Sequence, residues 1–288
     1  MHQAFLKMKG ANIMEQKVIV ITGAGGVLCS GFAKVLAKEG HKVALLDLNL
    51  EAAEGFAAEI RAEGGIAKAY GCNVLKKESM EEAHQAILKD FGKCDILING
   101  AGGNNPRGTA DHETYEPGDE TRDDIKTFFN LDPDGIGFVF NLNFLGTLLP
   151  TQVFVPDMIG KEGCSILNIS SMNAFRPLTK IPAYSGAKAA ISNFTQWLAV
   201  HFAPAGIRVN AIAPGFFVTN QNRALLFNED GTPTARTNKI LNATPMKRFG
   251  ESEELNGALT FLLDAEKAGF ITGVVLPVDG GFSAYSGV

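Results

Sequence analysis

The residues whose types and spacing point most directly to chemistry are a tyrosine and a lysine in the stretch YSGAK, residues 184 to 188. The sequence that follows, AAISNFTQWLAVHF, has an apolar stripe at helical spacing, so Tyr184 and Lys188 are predicted to share one helix face. A tyrosine has an ordinary pKa of about 10, and a positive charge about 4 Å away contributes on the order of 4 kcal/mol at an effective dielectric of 20. The pair therefore predicts a phenol that acts as a general acid or base, unless the spacing is a coincidence of a surface helix.

A serine supplies further support for that chemistry. Ser171 closes the apolar run SILNISS and precedes Tyr184 by thirteen residues. At the carboxyl end of a strand in an open α/β sheet, its hydroxyl would emerge where ligands bind. The alternative, a serine that only caps the strand exit, applies to Ser170 or Ser171 taken singly.

Seven short apolar runs alternate with longer helical patterns and must position these residues. Runs that are apolar at nearly every position are typical of parallel strands covered by helices on both faces. The sequence therefore predicts a single α/β domain over residues 1–288, a doubly wound (Rossmann) parallel sheet of about seven strands with helices on both faces. The predicted strands are 17–22, 42–47, 66–72, 94–100, 165–171, 207–214 and 273–279.

Two segments interrupt this alternation. Residues 104–137 are acidic and rich in turn formers, which indicates a solvated insertion near a sheet edge. Residues 216–250 follow the sixth strand and are long enough to be a binding loop or a lid. We expect this second segment to close over a substrate and to exclude water.

The turn after the first strand predicts a dinucleotide site. TGAGGVLCSG, residues 22 to 31, lies between a strand and a helix, where backbone N–H groups and the helix dipole face a pyrophosphate; a tight connection is the alternative. Asp47 ends the second strand, where a carboxylate accepts hydrogen bonds from ribose hydroxyls and repels a 2′-phosphate. NAD is therefore favoured over NADP, although a helix cap would also explain the residue type.

Two other strand ends carry weaker signals. NGAGG, residues 99 to 103, lets the chain pass close under a ribose or nicotinamide, and PGFFVT, residues 214 to 219, is a strand terminus. The cofactor-binding residues that these turns and strand ends predict are Gly23, Gly25, Gly26, Asp47, Asn99, Ala101 and Gly102.

Composition argues against several classes of protein. A net charge of -5 without a dense basic cluster makes nucleic acid an unexpected partner. The four cysteines are scattered, the five histidines form no ligand-like pair, and no metal site is expected. No stretch approaches eighteen consecutive apolar residues, and no signal peptide is evident, so we expect a cytoplasmic protein without a membrane partner.

Taken together, these residues resemble the short-chain dehydrogenase/reductases in order and in separation, over roughly residues 15 to 285. The resemblance implies that Tyr184 is the general acid/base, that Lys188 lowers its pKa and holds the nicotinamide ribose, and that Ser171 steadies the substrate oxygen. It further implies that Asn143 holds a water linking Lys188 to solvent, that Thr219 meets the carboxamide, and that the protein is a homotetramer. The further cofactor-binding residues that it implies are Leu28, Asn73, Val74, Tyr184, Lys188, Pro214 and Thr219. The departures from the family pattern are Val27, Cys29, Asn73 and Gly100.

The insertion and the sequence FFNLDPDGIGFVFNLNFLGTLLPTQVF resemble the sugar-acid branch of that family. This resemblance implies an enzyme that interconverts D-fructuronate and D-mannonate. The alternative within the family is gluconate 5-dehydrogenase or another polyol or ketone reductase. The alternative from a different class is a protein that senses a nucleotide without turnover. A sugar acid requires a cation and polar groups in its pocket. The candidate substrate residues, each of which has a solvated surface role as its alternative, are Arg107, Asn173, Arg176 and Arg223.

Overall fold

The seven predicted strands form one parallel sheet. The computed structural model describes residues 16–218 and 223–287, and the order across the sheet is β3-β2-β1-β4-β5-β6-β7. Four of the strands, β1, β4, β5 and β6, are buried at every position, as expected where helices cover both faces. The strands are β1 (Val18–Thr22), β2 (Lys42–Asp47), β3 (Ile66–Gly71), β4 (Ile96–Asn99), β5 (Ser165–Ile169), β6 (Arg208–Pro214) and β7 (Val275–Val278).

Helices pack on both faces of the sheet and produce two hydrophobic cores. One core joins α1, α2 and α9 to the sheet, and the other joins α3, α5 and α6 to its opposite face. The predicted doubly wound fold in a single domain is thus confirmed. The helices are α1 (Val27–Lys38), α2 (Leu50–Ala62), α3 (Lys77–Asp90), α4 (Pro133–Phe140), α5 (Gly146–Phe154), α6 (Pro182–Phe202), α7 (Arg223–Leu226), α8 (Ala235–Ala243) and α9 (Asn256–Leu263).

The strand order reverses beside β1, and this reversal opens a crevice at the carboxyl ends of β1 and β4. Thr22 and Asn99, the last residues of the two strands, are partners in register. The Thr22 hydroxyl accepts hydrogen bonds from the N–H groups of Gly100 and Ala101, at 3.1 and 3.2 Å. The two turns that leave these strands are therefore fixed against each other at the position where open α/β sheets bind ligands.

The two irregular segments are ordered by local contacts. The insertion at 104–137 contains three short 3-10 helices and ends in the first turn of α4, so it has more regular structure than a solvated loop. The segment 216–250 contains α7 and α8. An ion pair of 2.8 Å between Lys239 of α8 and Glu113 joins the two segments.

One helical run in the described residues, Pro133–Asp157, is long and apolar enough to cross a membrane, with a mean hydropathy of 1.4. Half of its most apolar stretch is buried inside the protein. Val153, Phe154 and Val155 belong to the core between this run and the sheet. Its apolar character is thus accounted for by packing within the domain.

Candidate active site

The turn between β1 and α1 lies close to the backbone of the β4 turn. Gly23 has a φ of +68°, and a Cβ atom at this position would approach the backbone of Ala101 to 2.8 Å. Gly26 is the N-cap of α1 and no side chain caps this helix, so its first N–H groups are available to an anion. A dinucleotide pyrophosphate fits this position because the glycines have no side chains to fill the space and the backbone N–H groups are hydrogen-bond donors.

Asp47 closes one end of the same groove. Its Oδ2 accepts a hydrogen bond of 2.9 Å from the Gly25 N–H, and its Oδ1 accepts one of 2.8 Å from the Asn49 N–H. A carboxylate held in this way keeps free acceptor capacity for ribose hydroxyls. Leu48, which follows Asp47, is 76% exposed and offers no cation for a 2′-phosphate.

The groove has a volume of about 660 Å³ and brings together most of the predicted cofactor residues. Phe138 and Leu142 also line it, and the sequence analysis missed them because nothing local shows that the α4 region crosses the mouth of the groove. The predicted residues that line the groove are Gly23, Gly25, Gly26, Leu28, Asp47, Asn73, Val74, Ala101 and Gly102.

Asn99 was predicted to contact the cofactor, but its side chain is turned into the protein. The residue is 2% exposed, and its carboxamide donates hydrogen bonds to Thr151 Oγ1 at 3.1 Å and to Asn168 Oδ1 at 2.9 Å. The cause is its position as the last residue of a central strand, where both faces are covered. Asn99 therefore shapes the groove by holding the end of β4.

Two departures from the family pattern compensate each other. A Cβ atom on Gly100 would overlap Sγ of Cys29. Cys29 is buried, and burial raises the pKa of its thiol to about 12, so this thiol is inert packing. The side chain of Cys29 thus occupies the space that a side chain at position 100 would fill.

Tyr184 and Lys188 share a face of α6, as their spacing predicts. The Lys188 ammonium lies 5.6 Å from the centroid of the Tyr184 ring. Lys188 is 4% exposed, and its Nζ donates a hydrogen bond of 2.8 Å to the carbonyl oxygen of Ile169 at the end of β5. Burial lowers the pKa of Lys188 from 10.5 to about 8. The ammonium is therefore fixed below the phenol and close to the carboxyl edge of the sheet.

The structure separates the two serines that follow β5. Ser170 is used internally, because its hydroxyl contacts Lys188 O at 3.2 Å and Ser192 Oγ at 2.7 Å. The Ser171 hydroxyl accepts a hydrogen bond of 3.2 Å from the Asn173 N–H, and Ser171 is near enough to Tyr184 to lower the pKa of its phenol. Ser171 is thus the serine that shares the site with the phenol.

Burial raises the pKa of Tyr184 above its ordinary value of 10.0, and Ser171 acts in the opposite direction. Without a cofactor, desolvation of the phenol thus outweighs the effect of the neighbouring groups. The prediction that Lys188 lowers the Tyr184 pKa applies to the complex with a cationic nicotinamide ring, and it stays a prediction.

Asn143 lies in a π-helical turn, Asn141–Leu145, between α4 and α5. Its side chain is fully buried, with hydrogen bonds from Nδ2 to the carbonyl oxygens of Gly103 and Val139 and from the Gly103 N–H to Oδ1. A Cβ atom on Gly102 would approach both Asn143 Oδ1, at 2.6 Å, and Lys188 Nζ, at 3.2 Å. The widened turn thus brings the Asn143 side chain beneath the same glycine as the lysine.

The four predicted substrate residues have different surroundings. Arg107 is exposed and paired with Asp132 at 2.5 Å, and the exposed Arg176 donates to Ser283 O at 3.1 Å. Arg223 is exposed and lies over the Phe227 ring. The Asn173 carboxamide oxygen is buried and lacks a hydrogen-bond partner in the described part of the chain.

The remaining predicted positions are Pro214, which ends β6, and Thr219, which lies outside the described residues. The structure also shows a lysine that the sequence analysis missed. Lys180, on the segment that leads to Tyr184, has a φ of 70° in the left-handed region. No residue pattern signals such a conformation in a lysine. Across residues 16–218 and 223–287, no three metal-ligating side chains cluster.

Comparison with known proteins places this geometry in a family. A profile described as short chain dehydrogenase matches residues 17–230. An uncharacterized oxidoreductase of Haemophilus influenzae is 66% identical over 275 residues, which are 96% of this chain and 96% of that protein. This similarity extends over the nucleotide groove, the insertion and the segment 216–250.

Two solved structures are similar over nearly the whole chain. A candidate D-mannonate oxidoreductase from Haemophilus influenza, solved with bound NAD, has a TM-score of 0.92 and 66% identity, covering 96% of this chain and 98% of that one. An NAD⁺-bound xylitol dehydrogenase has a TM-score of 0.78 and 31% identity, covering 92% and 98%. On its sequence and its fold, this chain belongs to the short-chain dehydrogenase family.

Proposed function

We propose that this protein is an NAD-dependent oxidoreductase that interconverts a keto sugar acid and its hydroxy form, with D-fructuronate and D-mannonate as the preferred pair. One observation carries the proposal: Ser171, Tyr184 and Lys188 converge at the carboxyl edge of the sheet, next to a groove that ends at Asp47. An oxidoreductase of this family needs an acid/base beside a hydride carrier, and the site offers both positions.

NAD fits the groove for reasons of shape and charge. The glycine turn leaves room for a pyrophosphate at the start of α1, and the Asp47 carboxylate occupies the position that a ribose reaches. The same carboxylate would repel a 2′-phosphate, so NADP fits less well. The Haemophilus protein was solved with NAD, which supports this choice.

The chain's own residues would move one proton at the substrate oxygen. In the direction of reduction, the Tyr184 hydroxyl donates its proton to the carbonyl oxygen; in oxidation, the phenolate takes the proton of the substrate hydroxyl. Ser171 would hold that oxygen, since it lies beside the Tyr184 phenol and lowers its pKa. NAD, when bound, supplies the hydride donor or acceptor and, in its oxidised form, a positively charged ring.

The positive charge of the oxidised cofactor would oppose the effect of burial on the pKa of Tyr184. Burial disfavours the phenolate in the protein, and the Lys188 ammonium is the one cation that lies over the phenol ring among the described residues. A second charge nearby would stabilise the phenolate further. We infer that Tyr184 becomes an effective base only in the complex with oxidised cofactor, with Asn143 and Lys188 connecting it to solvent.

The preference for a sugar acid is supported by similarity. The Haemophilus structure shares 66% identity over almost the whole chain, including the insertion and the segment 216–250. The more distant xylitol dehydrogenase favours a second candidate, the oxidation of a neutral polyol. A gluconate 5-dehydrogenase activity stands between the two, because its substrate is both a polyol and an acid. Arg107, Asn173, Arg176 and Arg223 stay candidate substrate contacts.

The segment 216–250 is proposed as the cover of the substrate site. Its helix α8 reaches the insertion through the Lys239–Glu113 ion pair. Both partners are exposed, so the contact can open without a large free-energy change. A cover of this kind would exclude water during hydride transfer.

We also propose a cytoplasmic homotetramer. The four cysteines are free and buried, which suits a reducing compartment. On α6, Trp197 is 56% exposed and forms an apolar surface with Phe194 and residues of α5. Val200, which is 77% exposed, lies beside Trp197 on the same helix. Large apolar residues grouped on a surface are typical of subunit contacts. Light scattering of the purified protein tests the assembly state.

The proposed activity is tested by NADH oxidation with fructuronate, tagaturonate, 5-ketogluconate and simple ketones. We expect turnover with the sugar acids, fastest with fructuronate. Tyr184→Phe should reduce kcat about 10²–10⁴-fold, because it removes the transferable proton. NADH binding, followed by fluorescence titration, should be retained. Tyr115→Phe is the matched control, since Tyr115 is 62% exposed on the insertion.

Two outcomes would contradict the proposal in different ways. Activity with acyl ketones but with none of the sugar acids would overturn the substrate class. A wild type that binds NADH but turns over no substrate, together with a Tyr184→Phe variant that binds NADH equally well, would favour a nucleotide sensor.

A further inference from the structure

The segment between Ser171 and Tyr184 carries one lysine in an unusual backbone conformation. Of the described residues other than glycine, Lys180 and Lys247 have positive φ values, 70° and 55°. This region is disfavoured for side chains with a Cβ atom, so a lysine there must be held by its surroundings. At Lys180 the insertion does so: the N–H of Ala110 donates a hydrogen bond of 2.8 Å to its carbonyl oxygen.

The two lysines differ in what their ammonium groups contact. Lys247 Nζ donates a hydrogen bond of 2.9 Å to the carbonyl oxygen of Asn242. Lys180 is half-buried, and its ammonium has neither an ion pair nor a hydrogen bond within the described part of the chain. A lysine without a hydrogen bond or ion pair, four residues before the acid/base, can receive an anion without losing such a contact.

Other cations around the site already have partners. Arg107 is paired with Asp132, and Lys188 donates to a backbone carbonyl group. Arg176 likewise donates to a backbone carbonyl group, and Arg223 is exposed over an aromatic ring. Binding a substrate carboxylate at any of these would require the loss of an existing contact, and binding at Lys180 would not.

Charge accumulates where the insertion, α8 and the Lys180 segment meet. The pKa of Glu113 is lowered chiefly by the hydrogen bond from Lys239 and by its charge, with further contributions from the positive charges of Lys180 and Arg236. Lys180 and Arg236 therefore act electrostatically on a carboxylate that is hydrogen-bonded to Lys239. The positive charge of Lys180 is thus felt where the insertion meets α8.

We propose that Lys180 binds the carboxylate of the substrate and so determines the preference for an acid over a neutral polyol. The inference rests on the proposed function, because it assigns the charged end of the substrate to a residue of the same site. The strained backbone at Lys180 directs the chain between the insertion and the start of α6. Lys180 acts on substrate affinity and takes no part in proton transfer.

The test removes the ammonium without adding backbone strain. Lys180→Gly should fold at least as well as the wild type, because glycine adopts a φ of 70° freely. Its KM for the sugar acid should rise about tenfold to a hundredfold, the loss typical of a charge-assisted hydrogen bond. Its kcat, its NADH affinity and its KM for the methyl ester of the same acid should stay near the wild-type values.

Two further variants complete the design. Lys180→Arg should keep most of the acid preference, since it keeps the charge. Lys247→Gly is the matched control: it makes the same backbone change at the other positive-φ lysine, which lies in the proposed cover, and should leave the ratio of the KM values for the acid and its methyl ester unchanged.

The outcomes separate this inference from the proposed function. A wild type without activity on any sugar acid overturns both. A wild type that is active on sugar acids, with a Lys180→Gly variant whose KM is unchanged or rises equally for the acid and its ester, overturns the role of Lys180 alone.

Discussion

The nucleotide side and the substrate side of the site are built from different kinds of contact. On the nucleotide side, backbone groups do most of the positioning: the Thr22 hydroxyl fixes two N–H groups of the β4 turn, and the Gly25 N–H fixes Asp47. On the substrate side, the insertion and α8 meet through the ion pair between Glu113 and Lys239, whose side chains are 43% and 67% exposed.

Because of this difference, the nucleotide side of the site is fixed and the substrate side is adjustable. Close backbone approaches at the ends of buried strands cannot shift without disturbing the sheet, so the nucleotide groove is pre-formed. Exposed ion pairs contribute little to folding and are screened by salt, so the substrate side can rearrange or diverge while the groove stays intact. The same division is consistent with one fold in two proteins named for substrates as different as D-mannonate and xylitol.

Lys188 lies where the two sides meet, and its titration should have the largest effect on stability. Its pKa is about 8 in the protein, against an ordinary value of 10.5. Between these values the unfolded chain binds more protons, so the free energy of unfolding should rise with pH, in total on the order of 3 kcal/mol. Below pH 8 the destabilisation by the buried charge is fully present. Lys188→Met should lack this rise, because it has no group to titrate.

Urea unfolding of both proteins at several pH values between about 7 and 10 measures the difference. Lys77→Met is the control, because Lys77 is an exposed lysine on α3, and its curve should follow that of the wild type. Parallel curves for the wild type and Lys188→Met would show that the ammonium is not desolvated.

The close approach between the two turns predicts an effect of intermediate size. Gly100→Ala places a Cβ atom against Cys29 Sγ and 2.8 Å from the carbonyl oxygen of Thr22. We expect a loss of about 1–3 kcal/mol in the free energy of unfolding and weaker NADH binding. Cys29→Gly in the same chain should recover part of the loss, because it relieves the first contact and leaves the second.

A double-mutant cycle on thermal or urea unfolding measures this recovery. Gly31→Ala on α1, where a Cβ atom meets nothing within 4 Å, is the control for adding a methyl group near this turn. Additive effects of the changes at positions 29 and 100 would mean that the two departures from the family pattern are independent.

The same contrast explains what the sequence could reveal. All seven strands, the glycine turn and the shared face of Tyr184 and Lys188 follow from spacing, because the spacing of residues along a strand or helix is a local property. The inward turn of Asn99 depends on partners from β5 and α5, and the raised pKa of Tyr184 depends on burial. A local sequence pattern indicates neither the burial of a residue nor a contact with a residue that is distant in the chain.

The substrate side shows this limit most clearly. Glu113 and Lys239 are 126 positions apart, and nothing in either local sequence pairs them. The left-handed backbone of Lys180 likewise depends on a hydrogen bond from Ala110, a residue of the insertion. The sequence therefore indicated that the substrate side consists of an insertion and a long loop, but it could not indicate which charged groups meet there.

The ion pair between Glu113 and Lys239 predicts the smallest effect. Glu113→Gln removes a negative charge on which Lys239, Lys180 and Arg236 act, so this contact becomes more positive. The urea midpoint should stay within error of the wild type, because the pair is exposed. The KM for the sugar acid should fall modestly at low ionic strength, and the fall should vanish near 1 M salt, where the screening length is about 3 Å.

Glu81→Gln is the matched control for this change. Glu81 forms an exposed ion pair with Lys77 on α3, and its loss should leave both the midpoint and the KM unchanged. A clear drop in the midpoint for Glu113→Gln would show that the insertion and α8 are part of the folded framework. The substrate side would then be as rigid as the nucleotide groove, and the lid proposed for residues 216–250 would need another opening point.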